Sequence, residues 1–198
     1  VDYESEVFID GKSAGTHFGG TVSFTRDITP LVKPGRTHHL VVRVHDDTRS
    51  NVQPRGKQSP CFHSHGCLYT RTTGIWQTVW LEAVTPAGLR DCQILPDLDG
   101  SRFLLIPEYR SVRQGLRFRA VLSEDGQLLA EESCSAANGV PTCLSVPRPR
   151  AWSPEDPHLY GLSLEVRDEE GTVLDTVKSY AGLRKVHVEG NRVLLNNE

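Results

Sequence analysis

Apolar and polar residues alternate along most of this chain, and the alternation has period two. In "HHLVVRVH", Leu40, Val42 and Val44 fall on one face of an extended strand, and Val41, Arg43 and His45 on the other. "EVFI" and "SAGTH" flank Asp10-Gly11, and "TVSFTRDI" follows. Further on, "LRDCQILP", "SRFLLIPEY", "LRFRAVLSEDGQLLAEES", "TCLSVP", "LYGLSLEVRDEEGTVLDTVKSY" and "KVHVEGNRVLLN" read as strands and hairpins. Acidic-Gly pairs punctuate them at Asp10-Gly11, Asp99-Gly100, Asp125-Gly126, Glu170-Gly171 and Glu189-Gly190, supplying the positive φ of tight turns. No stretch of about 12 residues keeps a helical period. The pattern therefore predicts an all-β chain.

Pro86 and Gly88 interrupt the pattern after Val84 and set a domain boundary. Residues 87–186 hold about seven short strands in about 100 residues, the measure of an immunoglobulin-like β-sandwich. Residues 1–86 form the first domain, with a polar excursion between Asp46 and Tyr69. Residues 187–198 begin a further element. "YTRTTGIWQTVWLEAV" reads as a strand that closes the first domain, with Trp76 and Trp80 four residues apart on one face as packing residues. Trp152 and Tyr160, in "RAWSPEDPHLY", read as a packing corner.

The 198 residues carry a formal charge of −3 and show no Lys/Arg block, which argues against nucleic acid as a partner. No apolar run approaches the roughly 20 residues a membrane helix needs, so no membrane partner is expected. Five cysteines without regular spacing do not form a secreted disulfide framework. A reduced, cytoplasmic setting is favoured, with a Cys134–Cys143 hairpin bridge as the alternative. The chain begins without Met, inside strand-like sequence, and is expected to be a fragment.

Candidate chemistry is sparse. "CFHSHGC" gathers Cys61, His63, His65 and Cys67, but the spacing does not fit known small zinc folds, so no metal site is assigned. The carboxylate neighbours Asp46-Asp47, Glu131-Glu132 and Glu169-Glu170 point apart in strands or into solvent in turns. They do not face each other as a glycosidase pair must. No nucleophile elbow or phosphate loop is present, and neither a catalytic residue nor a cofactor is assigned. Arg55, Tyr69 and Arg71, with Lys57, flank the excursion. They are the candidate contacts to a polyhydroxylated or carboxylate ligand. The competing reading is a loop–strand clamp in which Arg71 neutralises a carboxylate beneath it.

Three stretches carry a resemblance. Val7 to Thr29, with Asp10-Gly11, Gly15, His17, Gly19-Gly20, Phe24 and Asp27-Ile28-Thr29, is similar to the sugar-binding jelly roll of glycoside hydrolase family 2. So is Arg71 to Glu82, in the order R-x-S/T-G-I-W/F. "WSPEDPHLYGL" resembles the corner of that family's immunoglobulin-like domain. "GLRKVHVEGNRVLLNNE" resembles its passage into a catalytic (β/α)8 barrel, with Gly182, Arg184 and Asn196 matching and Asn197 where Gly is usual.

The resemblance implies a truncated jelly-roll β-sandwich followed by an immunoglobulin-like β-sandwich. Both belong to a retaining glycosidase of β-galactosidase or β-glucuronidase type, whose two glutamates lie in a barrel that this stretch does not include. Carbohydrate is then met through that missing barrel, with Tyr69 to Gly74 on the rim. The full-length enzyme is a possible homo-oligomer. Leu68 stands where the β-galactosidase pattern has an acidic residue, which leaves the sugar open. A free-standing carbohydrate-binding protein and a structural sandwich protein are the alternatives.

Overall fold

The computed structural model describes residues 1–50 and 52–198. They form two compact units, Val1–Leu81 and Glu82–Glu198.

In the first unit, β1 (Glu4–Ile9) lies between β2 (Lys12–Phe18) and β3 (Leu40–His45), antiparallel to both. The β1–β2 turn is Asp10-Gly11, with φ of 49° and 78°. Positive φ at both central residues is the turn that matches strand twist, and Gly takes the second at no steric cost. Asp10 also ties the sheet together: its carboxylate accepts the His39 amide at 2.8 Å and meets His38 Nδ1 at 2.6 Å. Two expected strands do not form. Residues 21–28 run without a ladder into a 3-10 turn at Thr29–Leu31. Residues 75–85 are likewise unpaired. Their alternation is real, but a strand needs a neighbour for its N–H and C=O groups, and no strand among the described residues lies alongside. Trp76 and Trp80 consequently stay 57% and 70% exposed and are not core residues. Trp76 is held by its Nε1–H, which donates to the Gly20 carbonyl at 2.8 Å. Ile9 is the one buried apolar side chain among the described residues of this unit.

The second unit is a sandwich. One sheet runs β4 (Leu89–Asp97), β5 (Arg102–Tyr109), β8 (Thr142–Ser145). The other runs β10 (Val173–Ala181), β9 (Tyr160–Arg167), β6 (Arg117–Glu124), β7 (Gln127–Ser135). Alternate residues of the central strands point inward: Phe103 and Leu105 from β5, Phe118 and Leu122 from β6, Leu162 and Leu164 from β9. Aromatic pairs lock the two sheets edge to face, Phe103 with Tyr160 at 6.0 Å and Tyr109 with Phe118 at 6.3 Å. Asp125-Gly126 makes the same positive-φ hairpin as Asp10-Gly11. Gly100 does not: Ser101 takes the positive φ of that turn, and Gly100 is needed because a Cβ there would strike the Asp97 carboxylate.

Tyr160 closes the corner. Its hydroxyl accepts the Arg150 amide at 2.8 Å and donates to the Arg148 carbonyl at 3.3 Å. A last hairpin, β11 (Val186–Glu189) with β12 (Arg192–Leu195), follows. Asn196 anchors it by donating to the Trp152 carbonyl and accepting from the Lys185 amide. Asn197 has φ of 75°, which accounts for the Gly usual at that position in the resembled pattern. All five cysteines are free, so no Cys134–Cys143 bridge forms: Cys134 Sγ faces Thr142 Oγ1 at 3.1 Å, and Cys143 is exposed.

Candidate functional site

The polar excursion is folded back on itself. Its two limbs meet where Ser59 N–H donates to Tyr69 O and Tyr69 N–H to Lys57 O, both at 2.7 Å. His65 and Leu68 pair within the loop. Ser59 is fully buried at its base, its hydroxyl accepting the Cys61 amide at 3.1 Å and lying 3.3 Å from His65 Nδ1. Asn51, within the excursion, lies outside the described residues.

Gln58 is the hub beneath the Arg71–Gly74 stretch. Its side-chain amide nitrogen donates to Asp2 at 3.2 Å and to Asp46 at 3.3 Å, and its oxygen accepts the Thr72 amide at 2.9 Å. Thr73 adds its hydroxyl to Asp46, and Gln53 donates to the other Asp46 oxygen at 2.5 Å. Asp2 pairs with Gly74 through both backbone hydrogen bonds. One glutamine therefore joins the entry to β1, the end of β3 and the rim stretch. Burial raises the pKa of the Asp2 carboxyl, and the neighbouring Asp46 charge raises it further.

The candidate ligand contacts do not share one set of partners. Arg55 donates Nη1–H to the Thr48 carbonyl at 3.1 Å, which ties it to the loop stem. Tyr69 is exposed, with Lys57 Nζ 5.9 Å from its ring centroid. Among the described residues Arg71 pairs with no carboxylate. Its guanidinium lies 4.5 Å from the centroid of Phe62, a contact the sequence did not suggest, because Phe62 reads as one more residue of a Cys/His-rich loop. Asp2 and Asp46 are satisfied by amides and a hydroxyl instead. Cys61, His63, His65 and Cys67 are exposed. Among the described residues no group of three or more His, Cys, Asp or Glu side chains could hold a metal ion.

The residues behind the first resemblance have structural work to do. His17 stacks on Phe24 at 4.2 Å and faces the Gly19 carbonyl at 3.2 Å. Gly15 leaves room for Arg26, Gly20 for Asp2, and the Asp27 carboxylate accepts the Thr29 amide at 2.9 Å.

Comparison with known proteins decides what these stretches belong to. The family model for glycosyl hydrolases family 2 matches residues 117–184, from β6 to just beyond β10. A putative β-glucuronidase of Formosa agariphila is 27% identical over 98% of the chain, which covers 24% of that protein. A β-glucuronidase of Paenibacillus borealis is 25% identical over 99% of the chain, covering 34% of that protein. A β-galactosidase of Halalkalibacterium halodurans is 30% identical over 97% of the chain, covering 18% of that protein. The chain is a family 2-like glycosyl hydrolase N-terminal region. It spans at most about a third of the length of these relatives. The crystal structure of Ruminococcus gnavus β-glucuronidase superposes on the whole chain with a TM-score of 0.77 at 21% identity, covering 33% of that chain. At that identity the likeness is one of fold. Like the family 2 N-terminal region, the chain is all-β and built of β-sandwich parts. The described residues contain no (β/α)8 barrel.

Proposed function

We propose that the full-length protein hydrolyses O-glycosyl bonds of β-glucuronides or β-galactosides, with the glucuronide preferred. The 198-residue chain serves as its non-catalytic N-terminal region. The observation that carries this reading is the match of nearly the whole chain to β-glucuronidases at 27% and 25% identity. Retaining hydrolysis needs two carboxyl groups about 5–5.5 Å apart across the scissile bond. Two members of the acidic pairs are engaged otherwise: Glu131 with Arg119, and Asp47 with the amides of Arg49 and Ser50. The catalytic pair is therefore assigned to sequence outside these residues. Arg55, Tyr69 and Arg71 are proposed to lend the substrate rim its first contacts. Association of full-length copies is proposed alongside.

The test is a panel of aryl β-glycosides offered to the full-length protein. Release of the aryl group from the β-glucuronide with the highest kcat/KM supports the reading. A preference for the β-galactoside keeps the reaction and changes the sugar. Hydrolysis of neither overturns the proposal.

A further inference from the structure

Along its strands the sandwich carries charge in pairs. Arg119 of β6 meets Glu131 of β7 at 2.5 Å and Glu165 of β9 at 3.1 Å, and Arg167 of β9 meets the same Glu165 at 2.6 Å. One end of the sandwich departs from this. There the loop from β5 to β6, the end of β7 and the turn from β9 to β10 line an open cleft of about 570 Å³. Arg113, Arg117 and Glu169 face it, and all three are exposed. None of them forms an ion pair among the described residues. Arg117 reaches only the Ser133 hydroxyl, at 3.3 Å.

The two signs come from different segments. The basic wall is the β5–β6 loop with the start of β6. The acidic wall is the β9–β10 turn, where Asp168 and Glu170 flank Glu169. The carboxylate of Glu169 lies against the backbone of the opposite loop. Gly115 has φ of 86°, and a Cβ there would lie 2.9 Å from Glu169 Oε2, so glycine is what lets the acid lie so close. The buried Leu116 and Ala136 line the cleft, and Val112 is 44% exposed at its rim.

A ligand of one charge would satisfy one wall and be repelled by the other. A copy of the same surface, turned about a two-fold axis, satisfies both, because each basic wall then faces an acidic one. Charges brought together where water is partly excluded attract more strongly than the same charges in solvent, and they fix the register of the two partners. We propose that this end of the sandwich is a self-association surface for a second copy of the chain, with Arg113 and Arg117 of each copy set against Glu169 of the other. The inference rests on the proposed association of full-length copies and goes beyond it by naming the surface and the geometry. The cleft is the centre of the contact and Val112 its apolar rim.

The test is sedimentation of the full-length protein over a series of concentrations, at low and high salt. The parent should associate, and more weakly as salt rises. Arg113→Glu and Glu169→Arg each place like charges in both symmetry-related contacts, so each should raise the dissociation constant by at least about tenfold. Mixed in equal amounts, the two variants should associate again, because every contact between unlike copies then joins opposite charges. That recovery also shows that both variants fold. A parent that stays monomeric at micromolar concentration and low salt overturns this inference together with the proposed association. A parent that associates while both variants associate equally well keeps the association and overturns this surface. Variants that dissociate alone and do not recover on mixing overturn the two-fold pairing.

Discussion

The two units answer the same sequence pattern in opposite ways. In the second, each inward residue of β5, β6 and β9 meets another sheet, and Phe103, Phe118 and Tyr160 are wholly buried. In the first, three strands have no second sheet among the described residues. Ile75, Val79 and Leu81 stay exposed beside the two tryptophans. Period two writes a strand's two faces, but only a covering layer turns an apolar face into stability. Instead, the first unit is held by polar hubs, Gln58 and Asp10, at the places where its segments converge.

The comparison can be broken most directly in the sandwich. Phe118→Ala removes a fully buried ring and should cost about 3–5 kcal/mol, read as a lower urea midpoint of the second unit. Tyr160→Phe keeps the ring and removes the hydroxyl that bridges Arg148 and Arg150, and should cost about 1–2 kcal/mol in the same assay. In the first unit, Gln58→Ala should cost about 1 kcal/mol, because Asp2 and Asp46 lose the amide between them. Hydrogen exchange should then quicken at Thr72 and Gly74 and stay unchanged in β9.

Acid and base should also separate the units. Glu165 is pushed up by burial, but Arg167 and Arg119 outweigh that and hold its pKa below the ordinary 4.5. Its contribution is present above that ordinary value and is lost as pH falls through the lower folded pKa. His38 is raised above its ordinary 6.5, first by Asp10 and then by the Lys33 carbonyl. That contribution is present below 6.5 and is lost as pH rises through the higher folded pKa. Asp10, lowered chiefly by the His39 amide and then by His38, adds an acid-side loss to the first unit as well. Raising pH from below 6.5 through the higher folded pKa of His38 should therefore loosen the β1–β3 pairing near His39 while β6 and β9 hold, as followed by amide exchange. Equal loosening of both would contradict the assignment. The smallest effect is expected from Trp80→Ala, within about 0.5 kcal/mol in this chain, because the ring is solvated. A large loss there would mean that the ring is covered.

Much of the second unit was legible from sequence. Alternation over 8 or so residues, with turn chemistry between, fixed β5, β6, β9 and their neighbours, and the spacing of Trp152 and Tyr160 marked the corner. The same logic failed at residues 21–28 and 75–85, because periodicity reports which face could be buried and not whether a partner strand lies alongside. At the candidate site, Arg55, Tyr69 and Arg71 were legible as unusual cations and an aromatic next to a polar loop. What they touch was not. The Gln58 hub joins residues 56 positions apart, and Phe62 gathers Arg49 and Arg71 from opposite limbs of the excursion. Neither contact leaves a local signal. Asn197 and Ser101 show the same limit in reverse, since both take a positive φ without being glycine.

The central claim is that these residues form the non-catalytic part of a family 2-like glycosyl hydrolase. The most direct measurement is the rate of hydrolysis of an aryl β-D-glucuronide by the full-length protein and by residues 1–198 alone, at equal molar concentration. The account predicts turnover by the first and none above buffer by the second. Hydrolysis by the 198 residues alone, or by neither protein with any aryl β-glycoside, would contradict it.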